Sequence, residues 1–160
     1  MKAMPEITPD RDGPADHDDN GVSAPAKRFE IVLLIHHPNI DPGLVTAALG
    51  IKPYRSWKAG EPRFTPKGRP LPGTHQISRW NYVFRYKSNK GFASQIDSIL
   101  ERLLPAREFF LEINDSGGTA QLYLMLPGDQ NLGDELDWKI LGKFVDLRLA
   151  FSVETFPDWG

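Results

Sequence analysis

The sequence predicts a single α+β domain in which helices pack on one face of a mixed, largely antiparallel sheet, in a ferredoxin-like arrangement. Three observations carry this expectation. Segments with an apolar period of two alternate along the chain with segments of helical period, and no repeat of roughly 20 to 50 residues recurs. The 160 residues suit one core, since domains commonly hold about 100 to 150 residues. Hydrophobic content of 40% beside 25% charged residues is that of a soluble folded chain.

In chain order, Met1–Lys27 reads as a disordered tail: it is punctured by Pro5, Pro9, Pro14, Gly13 and Gly21 and carries an acidic run at Asp10, Asp12, Asp16, Asp18 and Asp19. It offers little to bury against an ordering cost of about 1–2 kcal/mol per residue. The domain is expected over residues 28–160. Phe29 to His37 forms the first strand, apolar on both faces through Phe29, Ile31, Leu33 and Ile35 and through Val32 and Leu34, and therefore central. Asp41-Pro42-Gly43-Leu44 carries the signature of a helix start. Leu44, Val45, Ala48 and Leu49 supply that helix with a buried stripe, and Gly50 closes it.

From Pro53 to Gly73 the prolines and glycines predict loop, apart from a short strand or hairpin around Tyr54 to Trp57. Ile77 to Lys87 alternates cleanly, with Trp80, Tyr82, Phe84 and Tyr86 on one face and Arg79, Asn81, Arg85 and Lys87 on the other. It predicts a half-buried strand with Val83 on the wet face. Phe92, Ile96, Ile99, Leu100, Leu103 and Leu104 fall at helical spacing. After Pro105, Arg107 to Asn114 reads either as a helix burying Phe109, Phe110 and Ile113 or as a hairpin strand turning at Asp115 to Gly118; the helix is preferred. Thr119 to Leu126 alternates as a strand. Asp134 then serves as the expected cap of a broadly apolar helix holding Leu136, Trp138, Ile140, Leu141, Phe144 and Val145. Leu147, Leu149, Phe151 and Val153 alternate in a last strand.

Composition excludes some function classes. The absence of cysteine removes disulfides, thiolate metal sites and a cysteine nucleophile. A formal net charge of -2 gives no global field for nucleic acid or membrane, so electrostatic recognition must come from a local cluster. No apolar run approaches the roughly 20 residues that span a bilayer, and no signal peptide is apparent. The expected setting is cytoplasmic.

Candidate chemistry is sparse. His36, His37, Asp41 and His75 are the nearest approach to a metal set, but adjacent strand residues point to opposite faces, and Asp41 is explained as a helix cap. No serine sits on a nucleophile elbow, Glu101, Glu108 and Glu112 fall on helix surfaces, and Gly117-Gly118 is a turn. No catalytic residue, metal or cofactor is expected. The one biased stretch is the connection from Leu49 to Trp80, with Lys52, Arg55, Lys58, Arg63, Lys67, Arg69 and Arg79 against the single acid Glu61, interleaved with Tyr54, Trp57, Phe64 and Trp80. Its candidate binding residues are Tyr54, Arg55, Trp57, Lys58, Arg63, Lys67 and Arg69. Arginine and aromatic side chains anchor protein interfaces, while the same set could neutralise phosphates and stack on bases. A third use is a solvated rim around core tryptophans.

The landmarks Leu49-Gly50-Ile51-Lys52-Pro53, Trp57-Lys58-Ala59-Gly60-Glu61, Trp80, Gly117-Gly118 and the closing Leu147 to Phe156 strand, in this order, resemble the bacterial family called domain of unknown function 4279. The resemblance spans roughly Phe29 to Pro157. It implies a small α+β domain, favours the helical reading of Arg107 to Asn114, and carries no activity, cofactor or catalytic residue. Some members look like immunity proteins of bacterial toxin systems. The functional expectation is a non-catalytic protein-interaction module contacting its partner through the basic aromatic loop. The alternatives are nucleic-acid or polyanion binding through the same loop, and an enzyme whose site assembles from loops.

Overall fold

The structure, a computed structural model, describes residues 27–88 and 90–157. The expected tail lies outside the described residues, apart from Lys27, which opens the first strand. The elements are β1 (Lys27–His37), α1 (Pro42–Leu49), β2 (Arg55–Trp57), β3 (Pro62–Phe64), β4 (Pro70–Thr74), β5 (Ser78–Ser88), α2 (Phe92–Leu103), a 3-10 turn (Leu104–Ala106), α3 (Arg107–Asp115), β6 (Thr119–Pro127), α4 (Trp138–Asp146) and β7 (Ala150–Phe156). Among the described residues no helix is long and apolar enough to cross a membrane.

The main sheet has the order β2-β5-β1-β6-β7. β1 is antiparallel to β5 and β6, and β2 is antiparallel to β5. β6 and β7, joined through α4, are parallel. The sheet is therefore mixed and largely antiparallel, as the sequence predicts. β1 and β2, linked through α1, run in the same direction with β5 between them. The central place of β1 is why both its faces are apolar.

One face of the sheet meets every helix. Phe29, Ile31, Leu33 and Ile35 of β1 join Trp80 and Phe84 of β5 and Ala120, Leu122 and Leu124 of β6 in a single buried cluster. Val45 of α1, Ile96, Ile99, Leu100 and Leu103 of α2, Phe110 and Ile113 of α3 and Phe144 of α4 complete it. Each buried Val, Leu, Ile or Phe among them contributes roughly 1.5–3 kcal/mol. Trp80 is 1% exposed and donates its indole Nε1–H to Thr46 Oγ1 at 3.0 Å. Arg107 to Asn114 is helix, and its C-terminus closes through Gly118 N–H to the Ile113 carbonyl at 2.8 Å.

Four expectations are corrected. The segment from Pro53 to Gly73 is not loop beyond β2, because β3 and β4 pair into a separate two-stranded hairpin. In a two-stranded ribbon both strands are edges, so Pro62, Pro70 and Pro72 can sit with their missing N–H on the unpaired side. In α1, Leu44 is 60% exposed and Ala48 is also exposed, leaving Val45 buried and Leu49 half-buried. In α4, Trp138 and Val145 face out at 77% and 75% exposure, because only one side of a helix at the sheet edge has a partner.

The fourth concerns Asp134. The cap of α4 is Asp137, which accepts from Lys139 N and Ile140 N. Asp134 instead reaches across to α2: its Oδ2 accepts from Ala93 N at 2.8 Å while its Oδ1 accepts from Glu135 N at 2.9 Å. The residue at the α2 N-cap is Gly91, which has no side chain to supply an acceptor. A Cβ at Gly91 would stand 1.9 Å from Asp134 Oδ2. The glycine thus makes room for a capping carboxylate borrowed from another part of the chain.

Candidate functional site

The basic connection folds into a wall and a flap. β2 forms the edge of the main sheet and the β3–β4 hairpin stands beside it, leaving a groove of about 750 Å³ lined by Tyr54, Arg55, Trp57, Phe64 and His75 among others. Backbone bonds from Gly60 N to His75 O at 2.8 Å and from His75 N to Glu61 O at 2.9 Å fix the base of the hairpin. Its tip is Thr65-Pro66-Lys67-Gly68, with Gly68 at φ 78° and its N–H donating to Thr65 O at 2.9 Å. That left-handed position follows a proline-led turn and suits glycine.

Trp57 is the hinge between wall and flap. It is half-buried, donates its Nε1–H to Ile77 O at 3.1 Å, and stacks on the His75 ring with centroids 4.4 Å apart and planes inclined by 17°. The Arg79 guanidinium carbon lies 5.3 Å from the Trp57 centroid, within cation–π range. Tyr54 is 56% exposed and has Arg55 at 5.9 Å and Arg85 at 5.4 Å from its ring centroid. Phe64 and Leu71 on the hairpin are 58% and 39% exposed.

Charge is distributed unevenly. Lys58, Arg85, Arg107, Lys143 and Arg148 each make an ion pair with a carboxylate. Among the described residues, Arg55, Arg63, Lys67, Arg69 and Arg79 make none. The cations without an acid thus include a cluster around the groove and the hairpin. Burial, and after it the charge of Arg55, lowers the Arg79 pKa from the usual guanidinium value. His36 on β1, paired with Arg79 on β5, is held below the ordinary imidazole value by burial and then by Arg79.

Of the sequence-predicted site residues, Tyr54, Arg55 and Trp57 line the groove. Arg63 lies on β3, while Lys67 and Arg69 sit at the hairpin tip beside a smaller hollow. Lys58 turns away, with its Nζ 3.8 Å from Asp41 Oδ2 at the start of α1. The structure adds His75, Phe64 and Arg79, which sequence reasoning left out of the site. In the sequence Arg79 is one cation of the basic stretch and part of the polar phase of a strand; nothing there says that β2 pairs with β5 and places Trp57 opposite it.

The closest approach to catalytic geometry lies elsewhere, at His37 and Ser116, whose Nε2 and Oγ are 2.9 Å apart. His37 Nδ1 accepts from Asn39 N at 3.1 Å and Ile40 N at 2.9 Å, so the ring proton sits on Nε2 and points at the serine. The Ser116 hydroxyl donates to the Glu112 carbonyl at 2.5 Å. An imidazole that donates to the hydroxyl cannot also deprotonate it, and this contact ties β1 to α3.

Neither curated proteins nor solved structures give a match to the chain. A family model described as "Domain of unknown function (DUF4279)" matches residues 27–156, from the first residue of β1 to the last of β7. The match covers the whole sheet, all the helices and the hairpin that walls the groove, and the chain belongs to the DUF4279 family.

Proposed function

We propose that this domain is a non-catalytic protein-interaction module whose contact surface is the basic aromatic groove and its hairpin. The observation that carries the reading is composition in place: exposed Tyr54, Phe64 and Leu71 stand among Arg55, Arg63 and Arg69, none of which has a carboxylate partner among the described residues. Aromatic and arginine side chains dominate binding energy at interfaces, and unpaired cations select an acidic counterpart. The partner is a protein presenting a carboxylate beside an apolar side chain. A cytoplasmic setting and an immunity-protein-like role, binding and blocking another protein, belong to the same reading.

The test uses exposed residues, so that folding is spared. The variant Arg55→Ala/Phe64→Ala/Arg69→Ala should keep its stability within about 0.5 kcal/mol, yet bind the partner recovered from native cells at least about tenfold more weakly. Equal binding by the variant and the wild type would remove the groove from the interface. A loss of affinity well beyond tenfold between about 50 and 200 mM salt would instead favour a nucleic acid or other polyanion, because several phosphate contacts impose that steepness.

A further inference from the structure

The helix-free face of the main sheet carries a second cavity, of about 500 Å³, separated from the groove by Tyr54, which lines both. Strand register orders it into rows. In the first, Trp57, Arg79, His36 and Thr119 lie side by side across β2, β5, β1 and β6. The second row holds Arg55, Asn81, Leu34 and Gln121; the third holds Val83, Val32 and Tyr123; the fourth holds Arg85, Glu30 and Met125. Residues in register share a face, and successive rows are two residues apart.

The rows differ in charge. At the fourth, Arg85 is neutralised by Glu30, with Nε and Oε1 2.9 Å apart. At the first, Arg79 has no carboxylate, and its Nε finds no acceptor among the described residues. That guanidinium lies over the Trp57 ring, its carbon 5.3 Å from the centroid and within cation–π range. Between the two ends the floor is apolar, from Leu34 through Val32 and Val83 to Met125. One cation of the lining without a carboxylate, Arg79, neighbouring amides at Asn81 and Gln121, and a floor about 13 Å long from the first row to the third that is apolar at Leu34, Val32 and Val83 match a molecule with one anionic end and an apolar body. The cavity falls within the size range of small-molecule sites, which are largely apolar with a few convergent polar groups.

We propose that the helix-free sheet face is a binding site for a small amphipathic monocarboxylate, its carboxylate on Arg79 and its apolar body along Leu34, Val32 and Val83. The site adjoins the partner groove, sharing Tyr54 with it and setting Arg79 against the groove residue Trp57, but its ligand does not depend on that reading. Because Tyr54 belongs to both walls, ligand here would also bear on the groove.

Titration calorimetry of the full chain with octanoate, octylammonium and inorganic phosphate tests it. Octanoate should bind with a Kd on the order of 1 mM, and octylammonium and phosphate at least about tenfold more weakly, since the first carries the wrong charge and the second lacks the apolar body. Arg79→Gln should weaken octanoate at least about tenfold by removing a charge-assisted bond. Gln121→Glu, which keeps shape and folding while adding a negative charge in the neighbouring row, should do the same. The proposal is overturned by absence of octanoate binding up to about 10 mM, by equal binding of octanoate and octylammonium or phosphate, or by undiminished octanoate binding in Gln121→Glu.

Discussion

The borrowed cap on α2 makes a prediction whose sign depends on background. Removing the Asp134 carboxylate by Asp134→Ala strips the Ala93 N–H of its acceptor at 2.8 Å and takes a negative charge from a helix N-terminus. Loss of an N-cap side chain costs about 0.5–2 kcal/mol and loss of a favourable charge at the macrodipole a further 0.3–1 kcal/mol, so a total of about 0.8–3 kcal/mol is expected. With a urea m-value of about 2 kcal/mol per molar, the midpoint should fall by about 0.4–1.5 M with m unchanged.

Gly91→Ala should cost a similar amount in the wild type, because the new Cβ would stand 1.9 Å from Oδ2 and evict the same carboxylate. In the Asp134→Ala background nothing is left to evict. Gly91 has φ -66° and ψ 168°, a conformation alanine adopts freely, so the second substitution should there be neutral or stabilise by about 0.4–1 kcal/mol through the unfolded chain. The four urea curves of the double-mutant cycle check this. Losses that simply add would refute the borrowed-cap reasoning, since they would mean that Gly91 and Asp134 act on α2 separately.

Acid should destabilise the fold from about neutrality downwards. His36 and His37 are both held below the ordinary 6.5 by burial, so the unfolded chain binds more protons than the native one as pH falls past that value; their contribution is complete above 6.5 and lost as pH descends towards the folded pKa values. Urea midpoints taken at about pH 7.5 and about pH 5.5 should show the fall, and His37→Asn should reduce it; a midpoint that holds or rises on acidification would contradict the assignment. Gly118→Ala should destabilise by about 1–3 kcal/mol through overpacking, because its Cβ would meet His37 Cδ2 at 2.7 Å, the His36 carbonyl oxygen at 2.8 Å and Ile113 Cγ2 at 2.9 Å. Thermal unfolding measures this, and an unchanged midpoint would show that β1 and α3 can separate without penalty.

The sequence by itself determined the elements with strong local periodicity. β1, β5, β6 and α2 follow from alternation or helical spacing, and α1 from Asp41, Pro42 and Gly50, whose roles are local: Asp41 Oδ1 accepts from Gly43 N at 2.8 Å, and Gly50 sits at φ 64°. The basic aromatic character of the loop was legible too, since composition needs no fold. What only the tertiary structure decided were matters of pairing. Prolines announce a break in a ladder, but whether Pro62 and Pro70 face a partner strand or an open edge depends on the sheet they join. Asp134 looked like the cap of the helix that follows it, and the acceptor's choice of α2 depended on a chain approach from 41 residues away. The placing of Trp57 against His75 and Arg79 required β2 to settle on β5, and the outward turn of Trp138 and Val145 followed from α4 lying at an edge. Local periodicity fixes which residues can share a face; which faces meet is set by long-range burial, and the cations at the groove acquire their meaning only there.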